Sequence, residues 1–60
     1  MLKIKDLSIV TGYGATTCRG ILKKIKEQYN RTHSELSVSI NDVSDYFGLS
    51  IEFIKGKVKI

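Results

Sequence analysis

The sequence has no proline and no tryptophan, and it has one cysteine in 60 residues. A single cysteine excludes an internal disulfide, and no Cys and His spacing typical of a zinc site is present. No apolar run approaches the roughly 20 residues that cross a bilayer, and the first residues lack the apolar segment of a secretory signal. We therefore expect a cytoplasmic protein without a metal or cofactor.

The length and the net charge of the chain reduce the number of candidate functions further. Sixty residues make one domain, over residues 1–60, too small for a deep catalytic cleft or a nucleotide-binding α/β sheet. Ten Lys and Arg against six Asp and Glu give a net charge of +4, which attracts polyanions. Nucleic acid is the favoured partner. An anionic membrane surface is the rival on charge alone, but no membrane partner is expected, because the basic helix lacks tryptophan and its apolar stripe is needed for the core.

Residues that often carry catalysis have simpler explanations in this sequence. Cys18 lies within an apolar helical stripe, which is typical of a buried small side chain. His33 is expected in a solvated linker and is not close to Cys18 in sequence. The carboxylates at helix starts or on the surface do not form an acid–base pair; these are Asp6, Asp42 and Asp45. We predict no catalytic residue, no small-molecule substrate and no enzyme activity.

Apolar periodicity predicts an all-α fold of four short helices, over residues 4–11, 15–30, 40–48 and 50–55. Gly12 is expected in the left-handed conformation that ends the first helix, and Ser39 and Ser50 are expected to cap the third and fourth. Period-two alternation near residues 36–40 and in the tail 55–60 leaves open a minor β-hairpin or wing. The predicted core is Leu7, Val10, Cys18, Leu22, Ile25, Val43, Phe47 and Ile54.

An internal similarity appears when the chain is compared with itself at an offset of 36 residues. Residues 4–8, Ile-Lys-Asp-Leu-Ser, align with residues 40–44, Ile-Asn-Asp-Val-Ser, and Gly12 aligns with Gly48. The repeated unit is then a short helix, a glycine turn and a second helix. Chance matching in a short chain is the alternative.

A short helix, a three-residue turn that contains glycine and a longer helix form a helix-turn-helix. The second helix of this motif presents its outer N-terminal part to the DNA major groove. We expect Arg19 to reach a guanine edge or a phosphate, and Lys23 and Lys26 to reach phosphates. The free N–H groups at the start of the helix are expected to bind a phosphate. The predicted DNA-binding residues are Gly14, Ala15, Thr16, Thr17, Arg19, Lys23 and Lys26.

Residues 3–7, Gly12 and the run Thr17-Cys18-Arg19-Gly20-Ile21-Leu22 resemble the first half of excisionase-like and MerR-like winged-helix proteins. Residues 11–24 are similar to short proteins encoded by phages and integrative elements of Gram-positive bacteria. This resemblance implies a small transcriptional regulator or excisionase-type recombination factor, with Thr16, Thr17, Arg19 and Lys23 at the DNA. The chain departs from the pattern at residues 31–34, which lack the aromatic residues usual in a wing.

Two other interpretations of the basic helix remain open. Its charges can simply keep one helix face solvated, or the domain can be a protein-interaction module, such as a phage-encoded inhibitor or anti-repressor. Exposed Tyr46, Phe47 and Phe53 would favour a protein partner or homodimer, whereas burial of these rings would favour DNA binding. A single helix-turn-helix rarely binds tightly alone, so a homodimer or a helper protein is also expected.

Overall fold

Four α-helices form the fold over residues 1–58, the part of the chain that the computed structural model describes. They are α1 (Ile4–Thr11), α2 (Ala15–Gln28), α3 (Ile40–Phe47) and α4 (Ile51–Lys57). Within this range the β-structure is limited to an isolated antiparallel bridge between Leu2 and Val38. The all-α prediction is confirmed. None of the helices in the described residues is long and apolar enough to cross a membrane.

The helix ends agree with the predictions in most places. Gly12 and Gly48 adopt the left-handed conformation, with φ of 81° and 70°, and end α1 and α3. The second helix stops at Gln28, two residues before the predicted end, and Asn30 with φ 55° turns the chain away. The fourth helix continues to Lys57, two residues past its predicted end, so the strand left open for residues 55–60 is not formed at residues 55–57. The rest of that tail, residues 59–60, lies outside the described residues.

Serine caps hold the last two helices as predicted. The Ser39 hydroxyl accepts the Asp42 N–H at 3.2 Å, and the Ser50 hydroxyl accepts the Phe53 N–H at 3.1 Å. Each bond satisfies one of the N–H groups that a helix start leaves without a partner. Both helices are short, so these caps are a substantial part of what keeps them helical.

The core confirms the predicted packing of α1 against α2. Leu7 and Val10 from α1 are buried against α2, whose buried residues are Cys18, Leu22 and Ile25. Val43 and Ile54 are buried as predicted. Phe47 is a correction, because it is only half-buried. It packs edge-to-face with Tyr46 at the rim of the core, with the ring centroids 5.1 Å apart. Three residues outside the predicted core complete it: Leu2, Val38 and Val58.

The two halves of the chain repeat each other at the predicted offset of 36 residues. Helices α3 and α4 begin 36 residues after α1 and α2. The Ser8 hydroxyl donates to the Tyr13 carbonyl at 2.7 Å, and the Ser44 hydroxyl donates to the Leu49 carbonyl. Buried residues also fall in equivalent pairs: Leu2 and Val38, Leu7 and Val43, Cys18 and Ile54, Leu22 and Val58. The internal repeat is therefore structural and not a chance match of letters.

The contacts between the two halves are reciprocal. Leu2 and Val38, which are equivalent positions, bond to each other reciprocally: the Leu2 N–H donates to Val38 at 2.7 Å, and the Val38 N–H donates to Leu2 at 3.0 Å. Helix α1 contacts α4, and α2 contacts α3. Exchange of the halves leaves both pairings unchanged, as at an isologous interface between two subunits. The core is shared between the halves and does not belong to either alone.

The connection between α2 and α3 is fixed by bonds of its own side chains to α3 and within the loop. The Arg31 guanidinium donates two hydrogen bonds of 2.9 Å to the buried Asp42 carboxylate. These bonds hold the pKa of Asp42 below its usual value. The Tyr29 hydroxyl donates to Asp45, and this bond raises the pKa of Tyr29 to about 12. His33 is half-buried, contrary to expectation, and its Nε2 donates to the Ser37 carbonyl at 2.7 Å.

The Arg31–Asp42 pair predicts a specific acid sensitivity. Since the pKa of Asp42 is lower in the folded state, its contribution is present above the unfolded pKa of about 3.9 and is lost as pH falls through the folded value. Asp42→Asn should cost about 1–3 kcal/mol at pH 7, and the difference from the unaltered protein should shrink towards pH 3. Thermal unfolding at a series of pH values measures this. Glu52→Gln, at an exposed carboxylate in the first turn of α4, should cost clearly less, because it loses only an interaction with the helix dipole.

The environment of Cys18 predicts that its thiol stabilises the fold without taking part in binding. Its side chain is fully buried, and its Sγ lies 3.6 Å from the Tyr13 carbonyl oxygen. Cys18→Ala should lower the free energy of unfolding by about 1 kcal/mol or somewhat more, as expected for a small core truncation. Chemical denaturation measures the loss. Reduced ligand binding with an unchanged thermal midpoint would contradict this assignment.

Candidate nucleic-acid interface

The turn between α1 and α2 is held by side chains of α1. Ser8 donates to the Tyr13 carbonyl, and the Thr11 hydroxyl accepts the Tyr13 N–H at 3.2 Å while it donates to the Leu7 carbonyl at 2.8 Å. Gly12 supplies the left-handed backbone between them. The start of α2 is therefore positioned by several bonds to the preceding helix.

The N-terminus of α2 differs from those of α3 and α4. Its N-cap is Gly14, which is extended and has no side chain to accept an N–H, and its first turn contains no acidic residue. The equivalent position in the second half is Ser50, which does cap its helix. Gly14, Ala15, Thr16 and Thr17 are all exposed. The N–H groups and positive dipole end of α2 are thus accessible to an anion.

The outward face of α2 follows from its buried face. Cys18, Leu22 and Ile25 face the core, and the residues two positions before each of them lie roughly opposite, because two residues turn a helix by about 200°. Those residues are Thr16, Gly20 and Lys23, and all are exposed. Arg19 lies on one flank of this line, and Lys24 lies on the other.

The positive charges on this face make no ion pair within the described residues. The ion pairs within residues 1–58 are Lys3 with Glu35 and Arg31 with Asp42, so Arg19, Lys23 and Lys24 make none there. Lys24 is absent from the residues predicted to bind DNA, although its charge was visible in the sequence. Its place on the flank of this face follows from the same helical spacing that predicted the buried stripe, so the sequence alone could have identified it.

The prediction that Lys26 contacts a DNA phosphate does not agree with its position in the structure. Its ammonium donates to the His33 and Glu35 carbonyl oxygens, the second at 2.9 Å, and the residue is half-buried. The ammonium is therefore committed to the loop that follows α2 and is not a free cation for a phosphate. We remove Lys26 from the candidate interface.

Gly20 occupies the middle of the outward face. Alanine is preferred over glycine within a helix by about 1 kcal/mol, so this residue has an energetic cost. A Cβ built on Gly20 meets nothing within 4 Å, and its φ is not in the left-handed region. Neither the packing of residues 1–58 nor the backbone conformation requires glycine there.

A groove of about 250 Å³ adjoins this interface between the two glycine turns. Its lining is largely apolar and consists of Val10, Thr11, Tyr13, Phe47, Leu49 and Phe53. Tyr46 and Phe47 are half-buried and packed against the core, whereas Phe53 is 45% exposed. Burial of Tyr46 and Phe47 is the outcome that favours DNA binding, whereas exposure of Phe53 is the outcome that favours a protein partner. The aromatic residues therefore do not decide between the two functions.

The comparisons with family models, curated proteins and solved structures find no match for this chain. The resemblance to excisionase-like and MerR-like proteins therefore stays a prediction, and the functional argument depends on the geometry of α2.

The bonds of Lys26 predict a structural role that its neighbours do not share. Lys26→Met keeps the aliphatic stem but removes both hydrogen bonds to the loop, so it should lower the thermal midpoint measurably. Lys24→Met removes the same charge from an exposed position and should change stability by less than about 0.5 kcal/mol. Thermal unfolding monitored by circular dichroism compares the two. Equal stability of the variants would contradict the role given to Lys26.

Proposed function

We propose that this protein is a sequence-specific double-stranded DNA-binding protein that inserts the N-terminal part of α2 into the major groove. The observation that carries the proposal is the exposed face of α2, where Arg19, Lys23 and Lys24 flank small residues and make no ion pair within residues 1–58. A net charge of +4 adds long-range attraction to a polyanion. The major groove is wide enough to admit one helix.

Some residues of this face would position the helix on the DNA backbone, and others would contact the bases. The uncapped N–H groups at Ala15–Thr17 suit a backbone phosphate, which fixes the helix without reading sequence. Arg19, one turn further along, has the planar fork that pairs with a guanine edge. Lys23 and Lys24 suit phosphates beside the groove. Glu27, also exposed on α2, marks the end of the stretch that faces DNA, since a carboxylate is repelled by phosphates.

The biological role follows from the resemblance described above. We propose a cytoplasmic protein of a phage or mobile element that acts as a small transcriptional regulator or an excisionase-type recombination factor, without enzyme activity of its own. Duplexes from the promoter and ends of such an element are the natural substrates for binding experiments. A homodimer or a helper protein would supply the second contact that one recognition helix lacks.

Substitutions on α2 test this function by separating base contacts from phosphate contacts. Arg19→Ala should cost roughly 1–3 kcal/mol on the specific site and far less on random DNA. Lys23→Ala should weaken both complexes similarly and lower the salt slope by about one. Fluorescence anisotropy titrations over a salt series measure both effects, with thermal unfolding as the check that the fold is intact.

The second half of the chain supplies the matched control. Lys55 is exposed on α4 at the position equivalent to Arg19, so Lys55→Ala removes the same charge from the other unit. It should reduce affinity only slightly and without a preference for the specific site. Equal losses for Arg19→Ala, Lys23→Ala and Lys55→Ala would indicate general attraction to polyanions and contradict the recognition helix.

A protein-interaction module is the second candidate function, and one observation favours it. The groove between the glycine turns exposes Tyr13 and Phe53, at 51% and 45% exposure, beside a largely apolar lining. Exposed aromatic residues are enriched where proteins meet. If this is the functional surface, Phe53→Ser should abolish the biological effect, while Arg19→Ala should leave it intact.

A further inference from the structure

We propose that Gly20 is the point of closest approach between α2 and the floor of the DNA major groove, so that the absence of a side chain there determines how deeply the helix enters. This inference rests on the proposed function. It assigns a positioning role to a residue outside the predicted set of DNA contacts.

The position of Gly20 is the first argument. It lies in the line Thr16, Gly20 and Lys23, roughly opposite the buried line Cys18, Leu22 and Ile25. With α1 packed behind α2, this line is directed away from the body of the protein. At Gly20 a surface that receives α2 face-on meets the backbone with no side chain in between.

The surroundings of Gly20 are the second argument. No atom of residues 1–58 lies within 4 Å of a Cβ built there, so this part of the fold does not require glycine. A helix with its side chains is about 10–12 Å in diameter, close to the roughly 12 Å width of the major groove. Loss of the central side chain lets the helix move inward, which brings Thr16 and the flanking Arg19 within reach of base edges.

The internal repeat provides a control within the same molecule. Gly56 is the equivalent of Gly20 in α4 and is exposed, and a Cβ added to it would have no atom of the described residues within 4 Å. Alanine at either position should stabilise its helix, and only the change in α2 should affect DNA. The pair therefore separates helix propensity from contact with DNA.

The experiment compares Gly20→Ala and Gly20→Leu with Gly56→Ala and Gly56→Leu. A DNA duplex is first selected with the unaltered protein from a random-sequence pool, and a scrambled duplex serves as the non-specific probe. Gly20→Ala should raise Tm by about 4–8 °C, and Gly56→Ala should raise it in the same direction but less, because it lies in the last turn of α4. Gly20→Leu should lower affinity for the selected duplex by about tenfold, the scale of one lost base contact.

Each outcome decides the proposal. Weaker binding by the Gly20 variants, with a higher Tm for Gly20→Ala and with the Gly56 variants unaffected, supports close approach at Gly20. Unchanged binding by Gly20→Leu, while Arg19→Ala still weakens the complex, overturns the role of Gly20 and leaves the DNA-binding function standing. Failure of the unaltered protein to select any duplex overturns both.

Discussion

The apolar stripe of α2 is the constraint on which the rest of the structure depends. A chain of this size buries few side chains, and Cys18, Leu22 and Ile25 are the only fully buried residues that α2 contributes among those described. All three are needed to cover α1 on one side and the second half of the chain on the other. The rotation of α2 about its own axis is therefore fixed, and the same constraint determines which residues face outward. The candidate interface is a direct result of how the core is filled.

Much of this arrangement could be predicted from the sequence, because it depends on local rules. The bounds of α1, the left-handed Gly12 and Gly48, and the caps by Ser39 and Ser50 depend on neighbouring residues alone. The burial of Cys18 and Leu22 followed from their spacing in the helix. The outward positions of Thr16, Arg19 and Lys23 followed from the same spacing.

The predictions that the structure corrected concern contacts between residues that are distant in sequence. The bonds of Lys26 to the loop, and of Arg31 to Asp42, depend on the path of residues 29–39, which no periodicity describes. The half-burial of Phe47 depends on how far the two glycine turns approach each other. Leu2 and Val38 lie outside every predicted helix, and their burial results from a pairing across 36 residues of sequence. Such features can be identified only once the folded structure is known.

The reciprocal Leu2–Val38 bridge joins two halves in which α2 and α4 occupy equivalent places. The core depends on the buried residues of both helices, which leaves their exposed positions free to differ. The equivalents of Thr16, Thr17 and Arg19 are Glu52, Phe53 and Lys55. Helix α2 therefore carries a polar, cationic face, while α4 carries one carboxylate, two lysines and an exposed aromatic ring, and one repeated frame presents two different surfaces.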